Sequence, residues 1–119
     1  MAIPSEIQAL IAQLNQELDE TEQEAADGLK LIRPLLSRFP DNVILTQFFA
    51  AFNNSLLFVE ISRRRIRATI ERVSLGDVTT EEIQEAGEDL ATELGRVLEA
   101  KIGIRQITAV PAVMRYNTE

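Results

Sequence analysis

Residues 43–75 read VILTQFFAAFNNSLLFVEISRRRIRATIERVSL, and the fold turns on this stretch. Leu45, Phe48/Phe49, Phe52, Leu56, Val59, Ile66, Ile70 and Val73 recur at steps of three and four, the period of one helix face. Nothing in it breaks a helix until Gly76, a residue suited to the C′ position. About 33 residues rising roughly 1.5 Å each make a rod of roughly 50 Å. A compact sphere of this chain has a radius of gyration of only about 13–14 Å. The molecule is therefore expected to be elongated, with its other segments lying along the rod.

Upstream, Ile7, Ile11, Leu14, Leu18, Thr21, Ala25, Gly28, Ile32, Leu35 and Phe39 keep an alternating spacing of four and three, a heptad seam. Its middle shrinks to Thr21, Ala25 and Gly28, which lets a neighbour come close. Ser5 is placed to cap this helix, with Gln8 as its capping-box partner. Pro34 removes a backbone donor and crowds the preceding turn, so a kink or break is expected near Leu31–Arg33. Phe39-Pro40-Asp41-Asn42 reads as a turn, with Asp41 or Asn42 capping the central helix. A hairpin about that turn pairs residues whose numbers sum to about 79–80.

Downstream, Thr79 with Glu82 forms a capping box, and Val78 with Ile83 a hydrophobic staple. Ile83, Ala86, Leu90, Leu94, Val97/Leu98 and Ile102 mark a third helix that ends at Gly103. Beyond it, Ile104, Ile107, Val110, Val113 and Tyr116 recur every three residues around Pro111, a pattern that suits an extended strap. The expected fold is all-α: an elongated antiparallel three-helix bundle over residues 1–103, with the first helix kinked or broken near Pro34. An extended C-terminal tail covers residues 104–119.

The chain contains no histidine and no cysteine. Nucleophile–histidine triads, thiol redox, zinc sites of Cys or His, and haem on His or Cys all lack their essential groups. Aromatic residues make up 5%, without tryptophan, too few for a stacking platform on single-stranded nucleic acid. Lys30 and Lys101 are the only lysines and Tyr116 the only tyrosine, no isolated carboxylate is read on an apolar face, and the glycines are too scattered to cradle phosphate, so no catalytic candidate stands out. The acidic stripes Glu17, Glu20, Glu24, Asp27 and Glu81, Glu82, Glu85, Glu88, Asp89 fall off the apolar seams, which makes them solvated faces rather than metal sites. A non-enzymatic protein without cofactor or metal is expected. No membrane span and no basic leader are read, and the location expected is cytoplasmic.

Charge is segregated. Residues 1–27 hold seven acids and no base, residues 28–75 eight bases and three acids, and residues 76–119 four bases and nine acids. The central bases include Arg63, Arg64, Arg65, Arg67 and Arg72, which raises nucleic acid as an alternative partner. Ion pairs within the bundle explain them better. Glu60–Arg64 and Arg67–Glu71 are four apart on one helix. The hairpin sets Glu17 opposite Arg63, and the third helix sets Glu82, Glu85 and Asp89 near Arg72, Thr69 and Arg65. A net charge of −7 also opposes attraction to polyanions.

Two apolar features remain unabsorbed. Leu57, Phe58 and Ile61 form a second sector on the central helix, and a helix with two apolar sectors needs more than one neighbour. They are read as a homodimer interface, with Ile107, Val110, Val113 and Tyr116 of the strap docking on a bundle groove or on a protein partner. Gly87, Ala91 and Gly95 form a smooth strip, which a close helix contact would explain. The expected role is a small adaptor that offers a helical surface to a protein partner.

Overall fold

The computed structural model describes residues 3–117, and the side chains of residues 3–108. It is an all-α bundle of three long helices: α1 (Ser5–Arg38), α2 (Val43–Ser74) and α3 (Thr80–Asn117). Each packs on the other two, and the rod measures 61 × 19 × 16 Å with a radius of gyration of 18.3 Å. α2 runs antiparallel to both neighbours. Elongation follows from helix length, because three such helices side by side cannot form a sphere.

Caps set two of the boundaries. Asn42 opens α2, its Oδ1 accepting from the Leu45 N–H at 3.0 Å. Thr79 Oγ1 accepts from the Glu82 N–H at 3.1 Å at the start of α3. The first helix differs from expectation. Ser5 is its first helical residue, the cap position belongs to Pro4, and no side chain bonds there. Proline suits the edge of a helix because its fixed φ is already helical. Between α2 and α3, Asp77 takes the left-handed conformation (φ 65°), whereas Gly76 does not.

The core has two centres. Toward the start of the chain, Ile7, Leu14, Leu18, Val59, Ile66, Leu90 and Val97 pack together. Toward the hairpin turn, Leu29, Ile32, Leu45, Phe52 and Ile104 form the second centre, flanked by Leu35, Leu36, Phe48, Phe49, Leu56 and Ile107. Between them α1 narrows to Thr21, Ala25 and Gly28, all buried. At Gly28 the Phe52 ring lies 2.5–2.8 Å from where a Cβ would stand. The close approach expected from the small residues is therefore present.

A break at Pro34, an end at Gly103 and an extended tail, each expected, do not occur. α1 continues unbroken through Pro34. A proline inside a helix costs about 3 kcal/mol, but Leu29 and Ile32 before it and Leu35 and Leu36 after it all join the second core centre. Gly103 does not end α3, and the segment expected to be extended from Ile104 is helical through Pro111 to Asn117. A glycine costs about 1 kcal/mol in a helix, while burying one isoleucine returns about 1.5–3 kcal/mol. Ile104 is buried and Ile107 packs beside it. The strip of Gly87, Ala91 and Gly95 makes no tight contact within the chain: a Cβ on Gly87 would stand 3.9 Å from Ile7, and one on Gly95 in open space.

Candidate functional site

The core face of α2 carries Leu45, Phe52, Val59, Ser62, Ile66 and Val73. The exposed side chains of α2 are mostly polar, and Val43, Ile44 and Leu57 are the large apolar ones among them. By length and composition alone α2 could cross a membrane, a test that the core helix of a bundle also passes. The interior of the bundle accounts for most of that apolar character: Leu45, Phe52 and Val59 are buried, and Phe48, Phe49, Leu56 and Phe58 pack against the two core centres. Leu57 is 54% exposed. Ile61 beside it is half-buried, and Phe58 is half-buried against the first core centre. Of the three residues expected to hold a partner, Leu57 is the one fully presented.

The other four fall differently. Ile107 packs against the second core centre and is not part of a free strap. Val110, Val113 and Tyr116 belong to α3 by backbone, and their side chains lie outside the described residues.

The arginines are divided. Arg63 bonds Asp19 at 2.8 Å and Glu22 at 2.6 Å, and these carboxylates hold its guanidinium above the usual arginine range, Glu22 most strongly. Arg72 bonds Asp89 at 2.9 Å. Arg65 approaches Glu93 at 3.6 Å. Arg64 and Arg67 are exposed, and neither lies within 4 Å of a described carboxylate. The pairs expected along the helix, Glu60–Arg64 and Arg67–Glu71, do not form, and Glu17 does not meet Arg63. Exposed pairs within one helix gain only about 0.3–0.5 kcal/mol, too little to hold long side chains.

Glu17 instead turns toward α3. Lys101 Nζ, on a residue only 8% exposed, donates to Glu17 at 2.8 Å and also to Glu20. The two carboxylates push the Lys101 ammonium above its ordinary range, with Glu17 first. Lys101 in turn draws Glu20 below the ordinary carboxylate range. Arg105 Nε donates to Glu24 at 2.8 Å one turn further on. The α1 acidic stripe is thus one side of a charged seam with α3, not a solvated face.

A second charged group sits inside the α2–α3 contact. Glu93 is 4% exposed and Ser62 fully buried. The Ser62 hydroxyl donates to Glu93 Oε2 at 2.7 Å, and Arg96 donates to Oε1 at 3.2 Å. Beside them an open cleft of about 300 Å³ is lined by Arg65, Thr69, Asp89, Glu93 and Arg96. Its charged groups are already paired, Arg65 and Arg96 with Glu93 and Asp89 with Arg72. Ser62, Glu93 and Lys101 are not among the expected site residues; on α3 the apolar choice beyond Val97 is Leu98 and Ile102. The buried seam is Ala86, Leu90, Glu93, Val97, Lys101 and Ile104, and its own four-and-three spacing was the available signal.

No protein-family model, curated protein or solved structure matches this chain.

Proposed function

We propose that the chain is a non-enzymatic interaction protein of the cytoplasm, paired with a second copy through the outer face of α2 and presenting its length to a protein partner. The observation that carries this reading is the exposure of Leu57, a large apolar side chain in the middle of α2, with Ile61 half-buried beside it. Size supports it. One long side of the rod, 61 by 19 Å, offers roughly 1,200 Å², enough for the roughly 800 Å² that a stable interface takes from each partner. A nucleic-acid surface is less favoured, because Arg63, Arg65 and Arg72 are engaged with acids of the same chain.

Size-exclusion chromatography with light scattering tests the pairing. The expected mass is twice 13.3 kDa, and Leu57→Glu is expected to yield the single-chain mass with helicity unchanged. A single-chain mass for the parent protein at high concentration removes the dimer.

A further inference from the structure

We propose that the hairpin end of the bundle, where α1 turns into α2, is a docking tip for the surface of an anionic lipid bilayer. Phe39, Val43 and Ile44 flank the turn and are 53%, 67% and 51% exposed. Three large apolar side chains thus share one end of the rod, a place distinct from the outer face around Leu57. The flanking charge is cationic. Within residues 28–59 the only acid is Asp41, against Lys30, Arg33 and Arg38. All three cations are exposed, and none lies within 4 Å of a described carboxylate. The Arg38 guanidinium stands 5.9 Å from the centre of the Phe39 ring, which places charge and apolar surface side by side.

The axial spacing matches a bilayer interface. Apolar side chains that lie on a membrane reach about 5–10 Å into the boundary of headgroups and acyl chains. Arg33 lies six residues before Phe39, or about 9 Å along the helix, and Lys30 about 13 Å. With the tip inserted, both stand at headgroup level. The nearest acid further back on α1 is Asp27, about 18 Å from the tip, beyond the roughly 8 Å screening length of physiological salt. Apart from Asp41 in the turn, the acids of α1 and α2 therefore stand clear of this end.

Area separates a bilayer from a second copy as the occupant. The rod end measures 19 by 16 Å, roughly 300 Å², well below the roughly 800 Å² per partner of a stable protein interface. A fluid bilayer needs no matching shape and adds attraction to each cation.

The test is flotation with vesicles of phosphatidylcholine alone and of phosphatidylcholine with phosphatidylserine, using the full chain. Binding is expected to the anionic vesicles only and to weaken as salt rises. The double variant Phe39→Ser with Val43→Ser is expected to lose about tenfold in partition, and Arg33→Ala with Arg38→Ala about fivefold per charge, both with unchanged helicity. Equal binding to neutral vesicles, or no binding to either, overturns the proposal. So does self-association without vesicles that the Phe39→Ser with Val43→Ser variant abolishes, which assigns the tip to a second copy. Leu57→Glu is expected to leave vesicle binding in place, so this test and that of the α2 interface fail separately.

Discussion

The ring of Phe52 lies against the backbone of Gly28, three of its atoms 2.5–2.8 Å from the place a Cβ would occupy. Phe52 is itself fully buried, so the ring cannot swing aside without opening the second core centre. This contact ties α1 to α2 at one register. Its residue numbers sum to 80, the pairing that an antiparallel hairpin about Phe39–Pro40 requires.

Gly28→Ala is therefore expected to destabilise the bundle, although alanine favours a helix by about 1 kcal/mol over glycine. Overpacking of a filled core costs about 1–3 kcal/mol and more than cancels that gain. Urea unfolding checks the sign. Adding Phe52→Leu to Gly28→Ala is expected to lose less than the two single variants together, because the smaller side chain leaves room for the new methyl group.

Ser62 and Glu93 make a second measurable pair. Ser62→Ala removes a donor from a buried carboxylate and is expected to cost about 1–2 kcal/mol. Ser62→Ala combined with Glu93→Leu is expected to regain that loss, since an apolar pair of similar volume needs no partners. A double-mutant cycle in urea reads the difference.

Lys101 gives the molecule a defined pH window. Its folded-state pKa is raised from 10.5, so its contribution is whole below 10.5 and lost as pH climbs through the raised value. Glu20 is lowered from 4.5, so its contribution is whole above 4.5 and lost as pH falls through the lowered value. The stability difference between the parent and Lys101→Met is expected to be flat between 4.5 and 10.5 and to shrink on both sides. Urea midpoints measured across pH test both edges.

Pro34 is exposed inside an unbroken helix. Pro34→Ala restores a donor to the Lys30 carbonyl and is expected to stabilise the protein by about 1–3 kcal/mol. A lower melting temperature in circular dichroism would show that the proline shapes α1 in a way the core needs.

Much of the architecture was legible along the chain because it rests on local chemistry. The long apolar period over residues 43–75, the Asn42 cap, the Thr79 cap and the small residues around Gly28 each act within a turn or two. Three helices, antiparallel hairpin register and an elongated outline followed. The expected breaks did not, because Pro34 and Gly103 exert local effects of only about 1–3 kcal/mol. Neighbours such as Ile32, Leu35 and Ile104 are buried by contacts far away in sequence.

The inward face of α3 was legible through Val97, since Ala86, Leu90 and Val97 are buried with Ile83 and Leu94 packed beside them, but not beyond it. Leu98 and Ile102 are the apolar choice, yet they stand outside at 36% and 57% exposure, while Glu93 and Lys101 lie inside. A charged side chain is costly to bury alone and tolerable when paired. Its partners, Ser62 on α2 and Glu17 and Glu20 on α1, are 31 to 84 residues away. The sequence by itself determined that there are three helices, the Asn42 and Thr79 caps and the span of α2, because those depend on neighbours a few residues apart. Only the tertiary structure decided which charges are sheltered and which apolar side chains face solvent, because that balance exists only once three helices lie side by side.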